Sequence, residues 1–265
     1  MSEVIKSIIL GIVQGLTEFL PVSSSGHLEI AKYLLETDFS GEESLMMTVV
    51  LHAATMLSTV FVFRKEILDI IKGLFTRSCN DQKRFAWFVV LSMIPAGLIG
   101  YFFESGLSAL FDGQVVFVAF MLMVTALLLL IADRAKNLQK PLNSGRAFGV
   151  GIAQAIALLP GVSRSGATIS GALLLGLDRK QAAVFSFLMV VPLIIGKVSK
   201  DIMDGTLASS EISVSVLSAG FIAAFLSGVL ACSWMVRLVQ KSQLKYFGYY
   251  CLALAVFVLL HFYIF

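Results

Sequence analysis

Hydrophobic residues fall into six long runs, near Leu45–Phe63, Phe85–Phe103, Val115–Ala132, Ala182–Gly196, Ile212–Met235 and Phe247–Phe265. A helix needs about 20 apolar residues to cross a bilayer, so each run predicts a transmembrane helix, the fourth a short one. No ten-residue stretch alternates polar and apolar positions as the strands of a membrane barrel do. Two further apolar stretches, Val4–Leu35 and Ala147–Leu177, are each broken near the middle, by LPVSSSG (Leu20–Gly26) and LPGVSRSG (Leu159–Gly166). Proline and glycine stop a helix there, and serines satisfy the freed backbone groups. The arms are too short for a comfortable crossing, so both stretches read as re-entrant helix–loop–helix hairpins. The rival arrangement has two tilted spans in each stretch. The expected fold is an all-α membrane protein: six transmembrane helices plus two re-entrant hairpins, in one polytopic domain over residues 1–265.

Composition agrees with a membrane solvent. Of 265 residues, 58% are hydrophobic and 14% charged, and mean hydropathy is +0.90, against about 45–50% and about 25% for soluble domains. Lys6 precedes an apolar run but no small-residue cleavage site follows, so the mature chain is expected to start near Met1. Cys79, Cys232 and Cys251 lack ligand spacing and read as packing residues. The net charge of +3 matters less than where the charges lie. Fifteen basic residues, in 64–84, 134–146, 179–180 and 237–245, fall on one side of the predicted layout. Lys6, Lys32, Lys197 and Lys200 fall on the other, with the acidic loops Glu36–Glu43 and Glu104–Asp112. The positive-inside rule makes the first side cytoplasmic and puts both termini outside. No nucleic-acid partner is expected, and a homo-oligomer is compatible with this layout.

A repeat emerges at a shift of 140 residues. GIVQGL (Gly11–Leu16) then lies over GIAQAI (Gly151–Ile156), and VSSSG (Val22–Gly26) over VSRSG (Val162–Gly166). Each half, about 1–133 and 134–265, holds one hairpin and three spans. An odd number of spans inverts the second copy, so the two bends should meet near the midplane, where inverted repeats place their sites.

The chemistry-bearing residues crowd these bends. Arg164 in a membrane hairpin is costly without a partner, roughly 2.5–3.5 kcal/mol on insertion scales. It reads either as a structural ion pair with Glu18 or as part of an anion site. Ser23, Ser24, Ser25, Ser163, Ser165 and Thr168 stand beside it, and helix N-termini with a guanidinium suit phosphate. His27 and Glu18 can take a proton from a serine. Gln14 lies four residues before Glu18, so one face presents both. With one carboxylate and one amide they would form a weak Mg2+ or Ca2+ site. His52 and His261, away from any breaker, read as satisfied core groups. Glu29, Asp178 and Arg179 read as interfacial or solvated.

QGLTEFLPVSSSGH (Gln14–His27) with PGVSRSGATISGALLLG (Pro160–Gly176) resembles the bacterial undecaprenyl-pyrophosphate phosphatases of the bacitracin-resistance type. The likeness extends over essentially the whole chain. It implies a plasma-membrane enzyme that converts undecaprenyl pyrophosphate to undecaprenyl phosphate and inorganic phosphate, recycling the carrier lipid for peptidoglycan synthesis, with no organic cofactor. Carried over by position, the implied catalytic residues are Glu18, Ser24, His27 and Arg164. Gln14, Ser23, Ser25, Ser163, Ser165 and Thr168 would bind substrate, and the site would open on the outer face. The family often has glutamate where Gln14 stands, and an amide cannot act as a base. Either Ser24 or His27 would be the nucleophile. The competing class is a transporter or flippase of undecaprenyl phosphate or another anion.

Overall fold

The computed structural model describes residues 1–37, 41–78, 80–103, 115–203 and 212–264. Among these, eleven α-helices account for the regular structure. They are α1 (Glu3–Phe19), α2 (Ser24–Leu34), α3 (Gly41–Val62), α4 (Arg64–Leu74), α5 (Asp81–Phe102), α6 (Val115–Asp133), α7 (Ser144–Ile156), α8 (Arg164–Leu174), α9 (Arg179–Met203), α10 (Val214–Gln240) and α11 (Lys245–Ile264).

Six are long and apolar enough to cross a membrane, within α3, α5, α6, α9, α10 and α11. Their outward residues are apolar, Val90, Leu98, Leu127, Leu230 and Phe257 among them, as lipid contact requires. The fourth span begins earlier and runs past Lys197, longer than its apolar run alone. Its helix begins at Arg179 and runs to Met203, because polar residues at both ends extend it beyond the apolar run. Helix α4 was absent from the hydrophobic pattern; it is a short amphipathic turn-back between two spans. Residues 38–40 of the acidic loop Glu36–Glu43, the whole of the loop Glu104–Asp112, and Cys79 lie outside the described residues.

The two interrupted stretches are broken where the prolines and glycines stand. The chain leaves α1 at Leu20 in extended conformation and re-enters helix at Ser24. Helix α7 starts on Asn143, whose side chain accepts from the Arg146 amide; α8 starts on Ser163, whose hydroxyl accepts from the Gly166 amide.

Apolar burial alone does not drive helices together in lipid, so close backbone approach decides the packing. Helix α1 lies on α10 through Gly11 and Gly15, where a Cβ would collide with the Gly220 carbonyl and the Ala224 carbonyl respectively. Helix α7 lies on α5 in the same way, Gly151 against the Ser92 carbonyl. Thus α1 packs on α10 and α7 on α5. Phe19 and Val22 near the first bend and Ile169 after the second share one buried cluster with Phe185, Phe187 and Met235.

Arg179 is a correction to the solvated reading. It is buried and donates to the carbonyls of Asp133 and Ala135, satisfying the C-terminal end of α6. Asp178 also has a structural task, accepting from the amides of Lys180 and Gln181 at the start of α9. Glu29 is largely exposed and pairs with Lys32.

Candidate active site

Glu18, in the last turn of α1, is 8% exposed and gathers groups from four helices. Gln14, one turn earlier on the same face, donates its amide to Glu18 Oε2 at 3.1 Å. Ser24 Oγ, opening α2, donates to the same oxygen at 2.9 Å. Arg164, opening α8, donates from one guanidinium nitrogen to Oε1 at 2.6 Å. His52 of α3 brings Nε2 to 3.8 Å from Oε2. Arg164 thus reaches the carboxylate from 146 positions along the chain.

The bends themselves touch. Ser165 donates to the Leu20 carbonyl across the junction at 3.3 Å, and a Cβ on Gly166 would sit close against Pro21. Behind the second bend, the Thr125 hydroxyl of α6 accepts from the Ser163 amide and donates to the Gly161 carbonyl. Gly161 has φ +96° and lies against the α6 backbone, so a side chain there meets both strain and collision.

Ser23 carries the opposite tension. A serine held at φ +70° costs of order 1–3 kcal/mol, and its hydroxyl caps nothing. That hydroxyl, Gln14 Oε1 and one guanidinium nitrogen of Arg164 are buried polar atoms without a hydrogen-bond partner among the described residues. Leaving a buried polar atom unpaired costs about 1–3 kcal/mol. Three donors and acceptors thus stand unpaired on the ion pair's own arginine and on residues next to its partners in the chain or on the helix.

The other predicted residues are placed as follows. Ser163 and Ser165 hydroxyls lie 3.3 Å apart within the second bend. Thr168 is fully buried and bonded to the Arg164 carbonyl and to Ser186 of α9, so it supports α8 from behind. Ser25 is half-buried on the first turn of α2. His27 turns toward α11: its Nδ1 lies 2.9 Å from the Ser23 carbonyl and its Nε2 2.6 Å from the Tyr250 hydroxyl.

Two residues were missed by sequence reasoning. His52 was read as a core histidine, yet it faces Glu18. The local pattern around it is an ordinary apolar span, and only the packing of α3 beside α1 reveals it. Tyr250 is 223 residues from His27 and had no local signal at all.

Among the described residues no three His, Cys, Asp or Glu side chains assemble to hold a metal ion. Gln14 Oε1 is free to accept a cation, but Glu18 is already shared by a guanidinium, a hydroxyl and an amide. That donor set does not build a resident Mg2+ or Ca2+ site, since Ca2+ wants about six to eight oxygens and Mg2+ near-octahedral geometry.

A family model described as bacitracin resistance protein BacA matches residues 7–257, both bends included. The chain belongs to the BacA family. Similar relatives include the undecaprenyl-diphosphatase of Christiangramia forsetii, 55% identical over 94% of each chain. That of Bacteroides fragilis is 46% identical, again over 94% of each. The undecaprenyl-diphosphatase of Methanobrevibacter smithii is 38% identical over 97% of this chain and 96% of its own. In this BacA family member the matched segment contains every group bonded to Glu18.

Proposed function

We propose that the chain is an integral membrane phosphatase that hydrolyses undecaprenyl pyrophosphate to undecaprenyl phosphate and inorganic phosphate. That reaction recycles the carrier lipid for peptidoglycan synthesis and depletes the target of bacitracin. One observation carries the reading: hydroxyl, carboxylate and guanidinium stand in a single string, Ser24 to Glu18 to Arg164, at 2.9 and 2.6 Å. A base within about 2.6–3.2 Å of a hydroxyl can activate it as a nucleophile.

The steps follow from that string. The terminal phosphoryl group binds against the N-terminus of α8 and the unpaired nitrogen of Arg164, which offset charge spreading over its oxygens. Ser24 Oγ attacks the terminal phosphorus while its proton passes to Glu18. The bridging P–O bond breaks and undecaprenyl phosphate leaves. Water then attacks the phosphoserine, giving a proton to His27; the P–Oγ bond breaks as Glu18 returns its proton to the serine oxygen, inorganic phosphate leaves, and His27 sheds its proton to solvent. His27 lies three residues after Ser24 on α2 and so on the same face. The engagement of Ser24 with Glu18, and of His27 with Tyr250, favours serine over histidine as nucleophile. An Mg2+ or Ca2+ ion would come as counter-ion of the diphosphate, meeting Gln14 Oε1; no step requires it as a resident group.

The two interrupted helices are proposed as re-entrant hairpins of an inverted repeat. Support comes from the reciprocal packing, α1 on α10 and α7 on α5, and from the junction of Ser165 with Leu20. The basic-residue asymmetry supports termini and site opening on the outer side of the plasma membrane. Inverted repeats are also a transporter plan, so the test must separate chemistry from carriage. Purified protein in detergent, where no gradient exists, should release phosphate from undecaprenyl pyrophosphate, and Glu18→Gln should abolish release. Lipid binding without phosphate release would sink the hydrolase and leave a carrier.

A further inference from the structure

Tyr250 has no place in the steps above, yet it makes the shortest polar contact to His27. A backbone carbonyl only accepts, so the Nδ1 that lies 2.9 Å from the Ser23 carbonyl must carry the proton. In the neutral ring Nε2 is then the acceptor, and the Tyr250 hydroxyl 2.6 Å away donates to it. The rings stack as well, with centroids 5.7 Å apart and planes 24° apart. The next residue on α11, Cys251, donates from its thiol to the Pro21 carbonyl at 3.5 Å. Successive residues of one span thus grip the first bend, as Thr125 of α6 grips the second. Unlike Thr125, Tyr250 acts on a side chain rather than on backbone.

We propose that Tyr250 is a positioning residue for His27. The Ser23 carbonyl sets the tautomer with a proton on Nδ1, and the Tyr250 hydroxyl and ring hold the imidazole plane, so that the Nε2 lone pair is aimed before water arrives. The hydrolytic water then takes the place of the phenol at Nε2. This inference rests on the hydrolase reading, with His27 as the base of the second step. Because the phenol leaves Nε2 when water binds, its hydrogen bond is not kept in the transition state; Tyr250→Phe loses the alignment of the ring, so kcat should fall about 2- to 10-fold with KM nearly unchanged.

The test uses the full chain in detergent, with Tyr250→Phe as the variant, since it keeps the stacked ring. Tyr249→Phe, one position earlier and half-exposed, serves as the control. Phosphate release gives kcat and KM. The ring nitrogens, read by 15N NMR of histidine-labelled protein without substrate, with His27 assigned by its absence from His27→Gln, give a signature that folding alone does not move. The expected result is a fixed Nδ1–H tautomer in the parent protein, and in Tyr250→Phe a lost Nε2 hydrogen-bond shift with reduced kcat. Unchanged ring resonances, or a moved ring signal with unchanged kcat, overturns the proposal. If the parent releases no phosphate, the hydrolase reading fails on its own, and the positioning role in hydrolysis falls with it; the ring spectrum then reports only whether the Tyr250–His27 contact exists.

Discussion

Replacing Arg164 by lysine separates charge from shape. The guanidinium uses one nitrogen on Glu18 at 2.6 Å and leaves a second buried and unpaired. That second prong is the one assigned to a phosphoryl oxygen. An ammonium keeps the ion pair with Glu18 but is a point charge without the planar fork. Loss of one hydrogen bond to a charged group is worth about 1.5–3 kcal/mol. If the bond matters only as charge develops, kcat should fall about 10- to 150-fold while KM moves little. Alanine would be a poor choice, because stripping one partner from a buried pair costs about 3–5 kcal/mol and confuses folding with catalysis. The assay is phosphate release from undecaprenyl pyrophosphate in detergent, beside a thermal unfolding curve for each protein. Turnover within twofold of the parent, with an intact fold, would refute the two-pronged role and return Arg164 to a structural ion pair.

Other outcomes follow from the same geometry. Acid quenching during turnover should trap phosphate on Ser24, mapped by peptide sequencing; a label on His27 would reverse the assignments of nucleophile and base. Gly15→Ala places a methyl group against the Ala224 carbonyl and the Gly228 amide, so stability should drop by about 1–3 kcal/mol, read as a lower unfolding midpoint; an unchanged midpoint would mean α1 does not lie tightly on α10. Gln154, the repeat mate of Gln14, is buried with both amide atoms unpaired among the described residues. Gln154→Leu should therefore preserve or raise the unfolding midpoint and leave phosphate release intact, whereas a marked loss of either would assign the amide a partner.

The spans were legible because membrane burial writes itself as uninterrupted apolar runs, and the bends because proline, glycine and serine are expensive there without purpose. The repeat register aligned Ser24 with Arg164, and the structure sets both on Glu18. What lay beyond the sequence was lateral packing. His52 sits in a span whose neighbours look like any apolar helix, so its approach to Glu18 depends on which face of α3 meets α1. Tyr250 reaches His27 only because the last helix lies beside the first bend. Arg179 looked solvated from its charged neighbours Asp178 and Lys180, but the carbonyls that hold it belong to the end of α6. Helix α4 escaped notice because its length falls short of any crossing.

The central claim is that the two bends act on one phosphoryl group. A double-mutant cycle on kcat/KM across them, with Ser24→Ala, Arg164→Lys and the pair, tests it most directly. Groups that work on the same transition state are strongly non-additive, so the double variant should be little worse than the poorer single one. Losses that simply multiply would mean that Ser24 and Arg164 serve separate sites.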